Sequence, residues 1–382
     1  MNNSTPLKKR AKIAHILHLD GAGGGPKTII NHVSYYCNLY DVTVFHGGRG
    51  KLTKVCEALG ITHFRLPLDS FLKIPFGFVA LVWHLKRLKP DLLYLHGQWG
   101  GPLGALAGKA AGVRRIIYVC QWPSFYTDWG PLRIMRNFVA EKIPCCLSSR
   151  VVAISEGNRY QYLFRDLVEE NKLVLISNSL DLAEFPAPAR VKQLREKFGW
   201  VRDQIHVVSV GRLADQKRID WLLKSWVRVQ QEIPGARLWI VGGGEDEKKL
   251  RQMSVDLGLE KTCTFLGSQP DGILFMAASD LVAMTSLYEG HANIPLEAMA
   301  CGKPIVASAV DGVRESYHDG EEGFLVPAAD VKAMADRIIQ LAKDPALREA
   351  MGSKGLSRVK LYDKSVILRQ YVSLIEEVLK EV

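Results

Sequence analysis

At 382 residues, with 24% charged and 47% hydrophobic side chains, the chain is too long for one core and too ordinary to be fibrous, low-complexity or disordered, so two globular domains are expected. The net charge of +10 is uneven: residues 1–186 hold 23 Lys and Arg against 13 Asp and Glu, whereas the remainder holds 27 of each. That surplus points the first half at an anionic partner, a membrane surface or an acidic acceptor, and away from nucleic acid, for which no recognition motif is present.

The first residues, M-N-N-S-T-P-L-K-K-R, lack the apolar core of a secretory signal. Residues 12–19 read as a strand, followed by a glycine-rich loop from Asp20 to Pro26 and a helix from about Lys27. Strand, glycine-rich loop and helix is the geometry that brings backbone amides to a phosphate, so Gly24 and Gly25 are donor-side candidates, although Gly23 to Gly25 do not form G-x-G-x-x-G. Further strand-like segments cover 42–45, 62–65, 92–96, 116–120, 151–154 and 173–176, with helix-length stretches between most of them. The longest apolar run, 74–85, is too short to span a bilayer and contains His84. This alternation predicts a doubly wound parallel sheet, whose carboxyl edge binds ligands; Asp20, His96, Gln98 and Gln121 fall at that edge and are candidates for the acceptor side.

A Pro- and Ala-rich linker is expected at 186–190, then a helix over 191–198. A second set of strands follows at 206–210, 237–241, 262–266, 281–284, 305–307 and 323–326, and helical patterns close the chain at 329–343 and 364–380. Seven cysteines without a C-x-x-C spacing argue against a disulfide framework or a zinc site and fit a reducing cytoplasm.

The densest chemistry lies at 286–308, S-L-Y-E-G-H-A-N-I-P-L-E-A-M-A-C-G-K-P-I-V-A-S. Glu289 and Glu297 stand eight apart, with Asn293 able to cap a helix, Pro295 suited to its first turn and Gly302 to its end. Glu297 would then lie in the first helical turn and Glu289 in the preceding loop. Carboxylates serve sugar hydroxyls and free amides at a helix start serve an anion, and a nucleotide-sugar presents both.

The E-x7-E element within Y-E-G-x-x-N-x-x-L-E-A-M-A-x-G-x-P-I-V-A resembles the signature of retaining glycosyltransferase family 4. The resemblance is dense in the second half and sparse in the first. It implies an α/β GT-B fold, two Rossmann-like doubly wound parallel-sheet domains facing a central cleft. The acceptor domain would be 1–186, the nucleotide-sugar domain 187–363, and a helix at 364–382 would cross back. Asn178-Ser179-Leu180-Asp181 is similar to the family's N-G-V-D turn, with Ser in place of Gly. Arg212 and Lys217, after Gly211, look like the pair that holds the donor diphosphate; two fixed cations can stabilise that leaving group in place of a metal.

By the same resemblance, Glu297 binds the ribose hydroxyls and Glu289 the sugar hydroxyls. Backbone amides of Gly290, His291, Ala292 and Asn293 face the sugar or β-phosphate, and Gly243 lies near the nucleotide. Phe265-Leu266-Gly267 would neighbour the base, and Glu315 matches a structural acid of the family. Many relatives carry a His where Gln121 stands, and Gln cannot act as a base; transfer on one face, with the leaving phosphate taking the acceptor proton, requires none. Trp122, Phe125, Tyr126 and Trp129, followed by Arg133 and Arg136, suit an apolar-anchored acceptor or a membrane surface, or else a packed loop.

The expected activity is transfer of a hexosyl group from a UDP-sugar, or second GDP-mannose, to a cell-surface glycan or lipid-linked acceptor. No cofactor is expected. No metal is expected either, since Asp203, Asp215 and Asp220 stand apart without a D-x-D. A cytoplasmic protein, peripheral at the inner face of the membrane, fits this. The rival readings are a nucleotide-sugar epimerase of the same fold and a non-catalytic partner subunit.

Overall fold

The computed structural model describes residues 10–18, 24–68, 72–120, 130–201 and 203–381, with the side chains of 24–27 and 98 set aside. Asp20, Gln121 and the aromatic cluster at 122–129 lie outside the described residues. The chain divides into two units, 1–178 with 365–382 and 179–364.

The first unit holds seven strands, β1 (Lys12–Leu17), β2 (Asp41–His46), β3 (Thr62–Arg65), β4 (Leu92–His96), β5 (Ile116–Cys120), β6 (Arg150–Ala153) and β7 (Leu173–Leu175). They alternate with α1 (Gly24–Tyr36), α2 (Lys51–Ala58), α3 (Ile74–Leu88), α4 (Gly97–Ala110), α5 (Pro131–Leu147) and α6 (Glu156–Phe164). The parallel sheet runs in the order β3-β2-β1-β4-β5-β6-β7. β4 and β5 are buried at every position, as strands covered by helices on both faces must be.

The second unit opens on α7 (Pro188–Lys197). Its strands are β8 (His206–Val210), β9 (Arg237–Val241), β10 (Cys263–Gly267), β11 (Leu281–Met284), β12 (Ile305–Ser308) and β13 (Gly323–Val326), in the order β10-β9-β8-β11-β12-β13. The helices are α8 (Ile219–Glu232), α9 (Glu247–Asp256), α10 (Gly272–Ala278), α11 (Asn293–Ala300), α12 (Val331–Lys343) and α13 (Pro345–Arg358). α8 buries Ile219, Leu222, Leu223, Trp226 and Val229, a single stripe at helical spacing. Both sheets are Rossmann-like.

The crossing points differ from the expected linker at 186–190. The chain leaves the first unit at Asn178, inside the Asn-Ser-Leu-Asp turn, because Leu180 is buried in the second unit's core. There its N–H donates to Tyr362 O (2.9 Å) and its carbonyl accepts from Lys364 N–H (2.7 Å). The last helix, α14 (Lys364–Lys380), buries Ile367, Tyr371, Leu374, Ile375 and Val378 in the first unit's core. Smaller differences are the end of β1 at Leu17, the start of α1 at Gly24, so that Gly24 and Gly25 open the helix itself, and α13, which the hydrophobic pattern did not disclose.

Candidate active site

The site is assembled around the ends of β8 and β11, neighbours where the strand order of the second sheet reverses. β8 passes into Gly211, whose N–H donates to Val241 O (3.0 Å), while Leu213 N–H donates to Gly243 O (2.9 Å). This lacing presses the turn after β8 against the turn after β9. Gly242 makes the approach possible: at its φ of 142°, a Cβ would stand 1.8 Å from the Gly211 carbonyl oxygen. Gly243, the residue singled out from the sequence, is under no such constraint.

The chain then forms a single 3-10 turn, Asp215–Lys217, which is sewn to the loop after β11. Leu287 N–H donates to Gln216 O (2.8 Å), Gln216 Nε2 to Tyr288 O (2.9 Å) and Thr285 Oγ1 to Lys217 O (2.9 Å). Two loops 72 residues apart are thereby locked together. Lys217 Nζ donates to Glu289 Oε1 at 2.5 Å, and Ser286 Oγ donates to the same oxygen at 2.7 Å. Ser286 and Glu289 are both buried. Such a charge-assisted pair in a partly dry site holds both side chains in place. Ser286, which sequence reasoning passed over as the first letter of the motif, orients the carboxylate. Arg212 is exposed at the start of the turn and makes no ion pair among the described residues.

The E-x7-E element needs two corrections. The helix cap is Ala292, in extended conformation, and Asn293 is the first helical residue; no side chain caps α11. Glu297, half-buried, consequently lies in the second turn. Pro295 at the third helical position removes an N–H that would have no intrahelical partner. The 290–292 loop is fixed from outside by Gly312: Ala292 N–H donates to Gly312 O (2.9 Å), and Gly312 N–H donates to Glu315 Oε1 (3.0 Å). A Cβ on Gly312 would come 2.6 Å from Gly290 O, at a φ of 76°. Glu315 is thus a loop tie. The His291 ring is buried and its pKa is pushed down to about 4 by that burial, so it faces this region as a neutral ring near Tyr362, 6.2 Å between centroids.

In the first unit, His96 is not an accessible acceptor-side group. It ends β4 in the protein interior, with Nε2 3.1 Å from His15 Nδ1 and its ring stacked on His15. His32 of α1 packs against it, 6.1 Å between ring centroids, and burial drives its pKa well below the ordinary histidine range. The backbone of Gln98 lies in the first turn of α4. Among the described residues, one group could share a metal ion, His318, Glu321 and Glu322; Arg358 lies 3.2 Å from His318 Nδ1 and Lys354 3.6 Å from Glu321, so cations already occupy that surface.

Two Rossmann-like parallel-sheet units are the architecture of the GT-B class of glycosyltransferase. Residues 191–358 match the model of "Glycosyl transferases group 1" and residues 22–184 that of "Glycosyltransferase Family 4". The chain belongs to glycosyltransferase family 4 and is a glycosyltransferase. It is similar to the lipopolysaccharide core biosynthesis glycosyltransferase LpsE of Rhizobium meliloti, 27% identical over 95% of this chain and 98% of the relative. An Escherichia coli UDP-Gal:α-D-GlcNAc-diphosphoundecaprenol α-1,3-galactosyltransferase is 24% identical over 88% of this chain and 89% of its own length. The crystal structure of Anabaena HepE in complex with UDP and glucose superimposes with a TM-score of 0.84 at 24% identity, over 96% of this chain and all of that one.

Proposed function

We propose that the chain is a retaining, metal-independent glycosyltransferase that moves a sugar from a UDP-sugar to a glycan or lipid-linked acceptor. The observation that carries this reading is the Lys217–Glu289 pair held by Ser286 at the end of the second sheet. Lys217 and exposed Arg212 are two cations for the diphosphate of the donor; Glu289 is placed for sugar hydroxyls and Glu297 for the ribose. As the C1–O bond to the β-phosphate breaks, the two cations take up the charge on the leaving diphosphate. The acceptor oxygen bonds to C1 on the same face and its proton passes to the departing phosphate, so no protein base is needed. The described histidines at the strand reversal of the first sheet fit this: His15, His32 and His96 are buried and kept neutral by that burial.

UDP is favoured over GDP because HepE was solved with UDP and the E. coli relative is named for UDP-Gal. A glycan or lipid-linked acceptor fits the names of LpsE and that relative. The protein then works at the inner face of the membrane. Among the described residues no helix is long and apolar enough to cross it. Peripheral contact is instead offered by α3, which exposes Phe76, Val79 and Trp83 in line with Leu72, beside Lys73, Lys86 and Arg87. α5 exposes Leu132, Met135 and Val139 beside Arg133 and Arg136, and α4 packs against both helices.

Thermal melts with UDP, GDP and ADP test the donor. A nucleotide at 100 times its Kd adds about 2.7 kcal/mol, so UDP should give the largest rise. A larger rise with GDP would assign the second donor class instead. Transfer that EDTA abolishes and Mn²⁺ restores would overturn the metal-free reading.

A further inference from the structure

We propose that the second unit carries a separate binding site for a small amphipathic anion, a single carboxylate or phosphate head on an apolar body, in the cavity between α7, α10 and the end of α11. The cavity has a volume of about 760 Å³, inside the roughly 300–1,000 Å³ typical of small-molecule sites. Phe185, Pro186, Val191, Trp200, Ala277 and Ala300 supply its apolar wall. Its charged lining is Lys192, Arg195, Glu196 and Lys303, three cations against one acid.

Lys303 is the centre of the inference. Its ammonium makes no ion pair or hydrogen bond among the described residues, although its surroundings are dry enough to lower its pKa. The nearest acid, Asp280, is already engaged: one oxygen accepts His206 N–H at 2.7 Å and the other lies 4.0 Å from Arg195 Nη2. Arg348 adds only like charge. In the wall, Trp200 Nε1 is buried without a partner. The Trp200 ring is fixed parallel to His206 at 4.7 Å, and His206 is itself oriented by Trp239 Nε1, which donates to Nδ1 at 3.1 Å. A buried donor without an acceptor is costly, and buried polar groups are nearly always satisfied. An anionic head at Lys303, with its apolar body against Trp200 and Phe185, supplies the counter-charge that Lys303 lacks.

The site is distinct from the Lys217–Glu289 pair. α11 begins beside Glu289, and its other end supplies Ala300 and Cys301 to the cavity. The Cys301 thiol is pushed up to about 12 by burial, so it serves as wall and offers no thiolate.

Calorimetric titration of the full chain with decanoate, indole-3-acetate and 1-decanol tests the proposal, the two acids separating an acyl from an aromatic body. At least one acid should bind one-to-one, with 1-decanol far weaker. Lys303→Met should weaken that acid by about tenfold or more, the loss of one charge-assisted contact, while its UDP-induced melting shift stays as in the wild type. Val191→Glu, which sets a carboxylate on the half-buried face of α7, should weaken it as well. Binding by neither acid, equal binding of 1-decanol, or unchanged acid affinity in a folded Lys303→Met or Val191→Glu variant would each overturn it. None of these outcomes depends on the donor reading.

Discussion

The two sheets reverse their strand order at equivalent places, between β1 and β4 in the first unit and between β8 and β11 in the second, yet the two places are built in opposite ways. The second holds a salt bridge, Lys217 to Glu289, whose carboxylate also accepts from the Ser286 hydroxyl, with exposed Arg212 nearby in sequence. The first is filled by uncharged rings: His15 stacks on Tyr94 at 4.9 Å and His32 packs on Tyr371 of α14 at 4.5 Å. Burial alone drives His32 to about 3, and burial with the neighbouring His32 does the same for His15. One topology thus serves two ends. In the second sheet the loops after the strands carry a hydrogen-bonded lysine and carboxylate. Where helices must be fastened to a sheet, the strand ends carry rings kept neutral by exclusion of water.

The sharpest way to break this comparison is to remove the charge from the second sheet. Lys217→Ala should lower kcat/KM for the donor by about a hundredfold, the upper end for a charge-assisted contact of roughly 1.5–3 kcal/mol. It also leaves Glu289 with Ser286 as its remaining tie at Oε1. Arg212→Ala, at an exposed position, should cost nearer tenfold, with the melting temperature unchanged. Steady-state kinetics with a UDP-sugar measure both, and wild-type values in either variant remove that residue from the clamp.

The neutrality of the first sheet can be tested by acid. A histidine whose pKa is about 6.5 unfolded and about 3 folded binds protons only in the unfolded chain between those values, so stability falls as pH drops through that window. At pH 5 each of His15 and His32 should cost about 2 kcal/mol relative to pH 7. Urea unfolding at the two pH values measures it, and His32→Leu should flatten the dependence. An unfolding free energy that is the same at pH 7 and pH 5 would mean that the rings are solvated.

The contrast also explains what could be read beforehand. Glu289, Lys217 and Arg212 stood out as candidates because charged groups at fixed spacing have few structural uses, and parallel strands announce themselves as apolar runs between helices. Ser286, Gly242 and Gly312 were not. Their roles arise from contacts across separate loops, a hydroxyl shared with a lysine and backbones closer than any Cβ allows. His96 was misread for the converse reason: a polar residue at a strand's carboxyl end looks like a ligand group until His15 and, from α1, His32 are seen packed against it in the interior. The unit boundary slipped because Leu180 reads as an ordinary apolar residue, and only Tyr362 and Lys364 show which core it joins.

The smallest expected effect concerns the outer face of the first unit. The aromatic cluster at 122–129 suggested a membrane surface from sequence, and α3 supplies a second basis for it. Phe76 and Val79, 73% and 67% exposed, follow Leu72 at helical spacing and lead to Trp83, over which Arg87 lies at 4.6 Å. Apolar side chains this exposed add little to the core, so Leu72→Ser, Phe76→Ser and Val79→Ser together should leave the melting temperature and UDP binding unchanged. If the face meets a bilayer, each cation near anionic lipid contributes about 1 kcal/mol and the apolar stripe anchors it. Salt should weaken that attraction, because screening limits exposed charge to about 8 Å at physiological strength. Co-sedimentation with anionic and neutral vesicles at low and high salt reads the outcome. Recovery should be highest with anionic vesicles at low salt and fall several-fold in the triple variant. Equal recovery under all four conditions would mark the basic half as a solvated surface and point to a water-soluble acceptor.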